Sequence, residues 1–160
     1  MSRAPERLST LLSELDASKP RTVQLRARPD GASWSMRTRD GTTWLAQWHD
    51  QPSRLLLTTV LGRLPGDYRQ MLLEASLSYN ALMRENGGIR LAMREASSEL
   101  VLLLDLYTDN LTLPQLSAAL SDFAASVRMW SVFVANQSAA NDATDVADGA
   151  DSASPFQQLA

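Results

Sequence analysis

The stretch Ser33–His49, SWSMRTRDGTTWLAQWH, determines the class of fold that this chain can adopt. Apolar and polar residues alternate on both sides of its centre, which is the period of a β-strand with one buried face. The dipeptide Asp40-Gly41 at the centre is the strongest short signal for a tight hairpin turn. The stretch therefore predicts an antiparallel hairpin with one apolar face, whose large residues are Trp34, Met36, Trp44 and Trp48.

Amphipathic segments continue on both sides of the hairpin. Leucines at helical spacing predict a first helix over 5–17, and they are Leu8, Leu11, Leu12 and Leu15. Residues 22–27 also alternate, but Pro29-Asp30-Gly31 ends that alternation. The later elements are strands over 54–61, 89–94 and 99–108 and helices over 68–85 and 114–135. The predicted order is α-β-β-β-α-β-β-α, an α+β fold with a twisted antiparallel sheet flanked by helices.

Two elements carry more apolar residues than one buried face requires. The second helix has a core face of Tyr68, Met71, Leu72, Ala75, Tyr79, Leu82 and Met83. It also has a second stripe, which consists of Leu73, Leu77 and Ala81. The strand over 99–108 has leucines on one face and Val101 and Leu103 on the other. Surplus apolar surface of this kind is typical of a protein interface.

The composition excludes several classes of protein and site. The chain has 160 residues, 44% of them hydrophobic and 21% charged, which is typical of one soluble globular domain. It has no cysteine and one histidine, which excludes disulfide bonds, thiolate zinc sites and multi-histidine metal sites. No apolar run approaches the ~20 residues of a membrane-spanning helix, and the N-terminus does not resemble a secretory signal. We therefore expect a soluble cytoplasmic protein without a cofactor or a membrane span.

The charges divide the chain at Asn136. The net charge is −3, but four aspartates and no Lys or Arg follow Asn136, so residues 1–135 hold 15 basic and 14 acidic side chains. The segment 136–160 consists mainly of small and polar residues, which cannot bury enough apolar surface to offset the entropy of ordering. The sequence therefore predicts a domain over 1–135 and a disordered acidic tail over 136–160.

The polar residues show no arrangement that supports catalysis. His49 precedes Asp50, which is the one pairing of a base with a carboxylate that could orient it. Neighbouring residues of a strand point to opposite faces, so these two side chains cannot readily hydrogen-bond to each other. We therefore expect no enzyme.

Nucleic-acid binding is the alternative that the sequence leaves open. A sheet that stacks bases needs aromatic and basic residues on the same exposed face. Here the tryptophans alternate with the basic residues along the strands, so the two kinds face opposite ways. The pattern disfavours nucleic acid and favours a protein partner, with a nucleic-acid-binding or regulatory α+β adaptor as the alternative. The arginines at strand positions are Arg37, Arg39, Arg90 and Arg94.

Several strings, taken in their order along the chain, resemble a known family. They are Leu61-Gly62 with Leu64-Pro65, the string LLEA over 72–75, the string GGIRLAM over 87–93, and the spacing of Leu116, Leu120, Phe123 and Trp130. Together they resemble the class I chaperones of bacterial type III secretion, the CesT/Tir chaperone family, over about 8–135. The near-neutral charge of 1–135, the additional segment 20–29 and the long tail resemble the broad-range export chaperones of the HpaB type.

The resemblance implies a homodimeric, non-enzymatic bacterial chaperone. Such a protein holds the N-terminal segment of an effector and delivers it to the export ATPase of the secretion apparatus. It implies that the first helix and the hairpin face bind the effector through Leu8, Leu11, Leu12, Leu15, Trp34, Met36, Trp44 and Trp48. It implies that the second helix forms the dimer through Leu73, Leu77 and Ala81, and we expect Val101 and Leu103 to join that interface.

Overall fold

A computed structural model describes residues 4–18, 23–38, 40–64, 66, 68–82 and 84–150 of the chain. It contains three helices and six strands over these residues. The elements are α1 (Glu6–Ser18), β1 (Val23–Ala27), β2 (Ser33–Thr38), β3 (Thr43–Asp50), β4 (Ser53–Arg63), α2 (Arg69–Ala81), β5 (Arg90–Arg94), β6 (Glu99–Tyr107) and α3 (Leu113–Ala150).

The strands form one antiparallel sheet in the order β1-β2-β3-β4-β6-β5. The α+β class is confirmed, and the sheet has one more strand before α2 than the predicted order contained. The additional strand is β1, which pairs with β2 so that Leu25 lies opposite Met36. Asp30 closes the intervening turn, because its carboxylate accepts the backbone N–H groups of Ala32 and Ser33. This turn reverses the chain, so the proline-interrupted alternation continues as a hairpin rather than ending the sheet.

One face of the sheet carries the hydrophobic core. The ring of Trp44 packs edge-on against Phe123 of α3, with 5.2 Å between the ring centroids. Gly62 lies under the same helix, because a Cβ built at Gly62 would stand 3.3 Å from Cγ1 of Val134. The apolar stripe of α3 is buried throughout, as the sequence predicts, and consists of Leu116, Leu120, Phe123, Val127, Trp130 and Val134. We call this side of the sheet the covered face.

The second helix is shorter and less buried than the sequence predicts. Asn80 attaches α2 to the outer strand β5, since its amide donates to the carbonyl of Leu91 at 2.9 Å and accepts the N–H of Leu91 at 2.8 Å. Only Leu72 and Ser76 of the helix are buried. The prediction that Met71 and Leu82 belong to the core was wrong, because they are 39% and 55% exposed. Tyr68, Ala75 and Tyr79 are half-buried against the core, and Met83 lies outside the described residues.

The third helix is longer than the sequence predicts. The prediction that it ends near Ala135 was wrong, because the helical backbone continues to Ala150. Alanine has the highest helix propensity and recurs through this segment, so the helix can continue without burying a face. Residues 151–160 lie outside the described residues, and the division into a domain over 1–135 and a disordered tail stays a prediction.

The first part of α3 is more apolar than the sequence analysis expects, since no apolar run was expected to approach the length of a membrane-spanning helix. By length and composition, the 24 residues Leu113–Asn136 would suffice to cross a membrane. The buried stripe described above contributes part of this hydropathy and packs on the sheet, whereas Met129 and Val132 of the same helix are 52% and 59% exposed.

Candidate functional site

A groove opens between α1, α3, β1 and the tip of the β2–β3 hairpin. Its cavity measures about 410 Å³. Leu15 of α1 and Leu25 of β1 contribute one side, and Trp44 lines it from the sheet. Helix α3 contributes the opposite side, through Leu120, Ala124 and Val127 together with Ser117 and Ser121. The groove is thus mostly apolar and lies beside β1, an outer strand of the sheet.

Charged side chains stand around this apolar groove. Asp16 joins α1 to β1, since its Oδ1 accepts the N–H of Leu25 at 3.2 Å. Asp40 at the hairpin tip accepts the hydroxyl of Thr38 and the N–H of Thr42. These hydrogen bonds, with the Thr38 hydroxyl first, hold the pKa of Asp40 below its ordinary value, and attraction to Arg128 acts in the same direction. An occupant would therefore meet an apolar floor with two carboxylates and one guanidinium at its rim.

The structure places most of the predicted effector contacts in the core. Seven of the eight are at most 6% exposed, namely Leu8, Leu12, Leu15, Trp34, Met36, Trp44 and Trp48. The expectation of an open tryptophan groove was therefore wrong, because α3 lies across the hairpin face and covers it. Of the eight predicted residues, Leu15 and Trp44 line the groove, and Leu11 is half-buried beside the core.

The groove includes residues that the sequence analysis did not assign to it. Leu25 stood in the alternating segment 22–27, and Leu120 and Val127 stood in the predicted core stripe of the last helix. The pattern placed both segments next to a core, but it did not reveal that a gap would remain between them. Ala124 follows Leu120 by four residues, and this spacing is the one signal that could have placed it on the same side of the helix.

The residues of the predicted dimer interface differ in exposure. Leu77 is 70% exposed and Ala81 is also exposed, so this side of α2 faces solvent. Leu73 is half-buried where it packs against the core. On β6, Leu103 is half-buried and Val101 is 6% exposed. The stripe on α2 thus presents Leu77 as its large free apolar side chain.

The second face of the sheet lies away from the core, and we call it the open face. Its strand residues are half-exposed or exposed apart from Ser33 and Val101, with Val60 at 42% and Tyr107 at 64%. Arg90 and Arg94 lie on it and Arg37 is exposed there, as the sequence predicts. Arg39 lies outside the described residues. The strand alternation therefore separates tryptophans and arginines onto opposite faces.

The described side chains offer no metal site. Within the described ranges, no group of three or more His, Asp or Glu side chains is placed to hold a metal ion. His49 and Asp50 are neighbours on β3, where alternation points them to opposite faces of the sheet.

The central part of the sequence shows to which protein family the chain belongs. The sequence profile of the Tir chaperone protein (CesT) family matches residues 35–131, which is more than half of the chain. The chain belongs to the Tir chaperone protein (CesT) family. The matched region extends from β2 into α3, so it contains the hairpin, α2 and most of the core of this family member. A search among curated proteins finds no match.

Solved structures share the fold of this CesT-family chain. A chain of the HopA1-SchA chaperone-effector complex is 21% identical with a TM-score of 0.62, covering 78% of this chain and 92% of that chain. A chain of the ExsC-ExsE complex is 16% identical with a TM-score of 0.66, covering 83% and 97%. A chain of the heterodimeric ExoU-SpcU complex from the type III secretion system of Pseudomonas aeruginosa is 15% identical with a TM-score of 0.60, covering 78% and 95%. These agreements confirm the fold.

Proposed function

We propose that this protein is a cytoplasmic chaperone of a bacterial type III secretion system. It binds the N-terminal segments of effector proteins, keeps them secretion-competent and delivers them to the export ATPase, without an enzymatic activity of its own. The observation that carries the proposal is the family match over 35–131. The likeness in fold to a chain of a chaperone-effector complex supports it.

The groove between α1 and α3 is the proposed contact for the effector. An extended segment can add to the outer strand β1 by main-chain hydrogen bonds while its apolar side chains enter the groove beside Leu25 and Trp44. Leu11 and Leu15 of α1 continue this apolar surface. The buried predicted residues, such as Trp34 and Met36, then support the groove from beneath.

Filling the groove tests this assignment. Ala124 is half-buried and lines the groove, whereas its neighbour Ala125 is exposed on the other side of α3. The probes are N-terminal segments of effectors from the same bacterium, co-expressed with the chaperone, and the measurement is co-purification. We expect Ala124→Trp to reduce capture at least tenfold, while Ala125→Trp binds as the wild type does. Equal capture by both folded variants would contradict the groove assignment.

We also propose a homodimer that forms through α2. Its support is the exposed Leu77 beside Leu73 and Ala81. Leu103 and Val101 of β6, which we also propose for the interface, lie on the open face of the sheet. Because Leu77 is 70% exposed, Leu77→Asp should leave the fold intact and yield a monomer by light scattering. Ser78→Asp, one residue further along α2 and also exposed, is the matched control and should remain a dimer. A folded Leu77→Asp dimer would contradict this interface.

We further propose that the protein is a broad-range export chaperone of the HpaB type, which binds several effectors. It is supported by the near balance of 15 basic and 14 acidic residues over 1–135, since a domain without a large net charge does not attract effectors of one sign over long range. Capture of two effectors that are unrelated in sequence would support this type, and capture of one alone would contradict it. The nucleic-acid alternative is disfavoured, because all four tryptophans are buried and offer no surface for base stacking.

A further inference from the structure

The open face of the sheet carries a marked excess of positive charge. Its acidic strand residues among those described, Glu99 and Asp105, both lie on β6 and both form ion pairs. Arg90 contacts Asp105 at 2.6 Å, and Arg94 contacts Glu99 at 3.2 Å. Arginines outnumber these acids, and those at strand positions of the face are Arg26, Arg37, Arg54, Arg63, Arg90 and Arg94. The face is therefore suited to a negatively charged occupant.

A hollow of about 230 Å³ on this face defines the chemistry further. Arg28 and Arg94 both line it, and Leu45 and Val60 provide apolar surface there. The other residues that line it are Ser35, Thr43, Trp44, Thr58 and Thr59. An occupant that satisfies this surface carries carboxylates together with a few apolar side chains.

The chain itself contains a segment of this chemistry. Residues 142–160, the acidic segment, include no Lys or Arg and contain two large apolar residues, Phe156 and Leu159. We propose that the acidic segment of one copy lies on the open face of a second copy, with its carboxylates on the arginines and an apolar side chain in the hollow. The aspartates are Asp142, Asp145, Asp148 and Asp151.

The course of α3 explains why the occupied face belongs to a second copy. Val134 of α3 is buried and packs over Gly62 on the covered face. The helical backbone continues from Val134 to Ala150, a length of about 24 Å at about 1.5 Å per residue. Three of the four aspartates belong to this helix. A straight helix that packs on the covered face does not reach the open face of its own sheet, whereas a second copy can receive these aspartates without a break in the helix.

A second copy also allows the two chains to form a closed symmetric dimer. In a two-fold symmetric dimer each contact is made twice, so both open faces would be covered by both acidic segments. Outside Val101 and Leu103, which the proposed dimer through α2 includes, two open faces packed directly on each other would bring arginines against arginines across the two-fold axis. The acidic segment, which follows Asn136, removes that repulsion because its aspartates lie against the arginines of the open face.

The absence of cysteine allows a direct test in the full chain. One sample carries Ser154→Cys with a nitroxide label on the introduced cysteine. It is mixed with the wild-type chain, which has no cysteine and carries no label but is isotopically enriched so that its amide signals are observed. We expect amide signals of Leu45 and Val60 in the enriched copy to fall to less than half of their intensity, while those of Phe123 keep theirs. Raising the salt from about 0.1 M to about 1 M, which shortens the screening length from about 10 Å to about 3 Å, should restore them.

Charge variants test whether the aspartates cause the contact. Changing the four aspartates of the acidic segment to asparagine should restore the signals of Leu45 and Val60. A control with the same change in net charge neutralises four exposed acids away from the open face and should leave the broadening unchanged. The control is Glu6→Gln, Glu14→Gln, Glu85→Gln and Asp109→Asn.

Four outcomes would overturn the proposal. The first is broadening that persists after the four aspartates are neutralised, and the second is broadening that occurs only within the labelled chain. In the third, the amide signals of the open face are unaffected by the label but shift when poly-glutamate is added, which would assign the open face to a different, acidic protein. In the fourth, the amide signals of the open face are unaffected by the label and shift only when duplex DNA is added. Effector capture is measured separately, so its failure and this one are distinguishable.

Discussion

The covered face and the open face are made by the same six strands, yet they differ in almost every physical property. On β3, Trp44, Ala46 and Trp48 are nearly inaccessible, while the intervening Leu45 and Gln47 are half-exposed. Helices cover the first set, whereas arginines and hydroxyls surround the second. The difference shows that strand alternation assigns residues to faces and that the helices then decide which face becomes the core.

The comparison also separates two kinds of binding surface. The groove between α1 and α3 is a gap within the covered side, so it is apolar and shaped by packing. The open face is shaped by charge, with its ion pairs on β6 and β5. We therefore expect effector capture by the groove to depend little on salt and contacts on the open face to depend on it strongly.

The largest expected effect contrasts neighbouring residues of β3. Trp44→Ala removes a side chain that is 1% exposed and contacts Phe123, so it should lower the free energy of unfolding by about 3–5 kcal/mol. Leu45→Ala on the open face should cost less than about 1 kcal/mol, because its side chain is half-exposed. Urea denaturation at neutral pH measures both. Similar losses for the two variants would contradict the assignment of faces.

The next effect concerns the contact between Gly62 and α3. Gly62 has φ +147°, a conformation that L side chains rarely adopt, and an added Cβ would stand 3.3 Å from Val134. Gly62→Ala should therefore cost about 1–3 kcal/mol in thermal or urea unfolding. Adding Val134→Ala should recover the steric part of this loss relative to Val134→Ala alone. An additive double variant would show that backbone strain is the entire cause.

A smaller effect distinguishes the ion pairs of the open face. Asp105 contacts Arg90 and Arg54 with its side chain 13% exposed, so Asp105→Asn should cost about 1–2 kcal/mol in urea unfolding. Glu99→Gln, which affects a pair with a 52% exposed Arg94 side chain, should cost less than about 0.5 kcal/mol. Reversal of this order would mean that exposure does not govern these pairs.

The smallest effect is a pH dependence at the edge of the groove. Because the folded pKa of Asp40 lies below its unfolded value of 3.8, the carboxylate stabilises the fold above that value and ceases to do so as the pH falls through the folded pKa. Asp40→Asn should thus lower the urea midpoint slightly at pH 7 and hardly at all near pH 2. Asp109→Asn, at an exposed acid outside the groove, is the control and should show no such difference.

The sequence predicted much of this architecture because its patterns are local. The Asp40-Gly41 turn, the alternation of β2 and β3 and the stripe of α3 each depend on residues close in the chain, and the structure confirms them. The errors have a common cause. Met71 and Leu82 were expected in the core because periodicity identifies an apolar sector, but it cannot say how wide the sector covered by neighbours will be.

The candidate site was predicted less well, for a related reason. Leu15 and Trp44 were predicted to bind the effector and do line the groove, but their side chains are buried in the core, as are those of Trp34, Met36 and Trp48. Apolar residues that cover a core and apolar residues that bind a partner have the same pattern along a strand. Only the placement of α3 over the hairpin distinguishes the two.

The sequence by itself determined the α+β class, the faces to which strand residues point, the stripe of α3 and the division of charge at Asn136. These follow from helical and strand periods and from composition, which act over a few residues. The tertiary structure alone decided that β1 joins the sheet, that Asn80 attaches α2 to β5, and that a groove remains between α1 and α3. These depend on contacts between residues distant in the chain, where the volumes of facing side chains decide what is filled and what stays open.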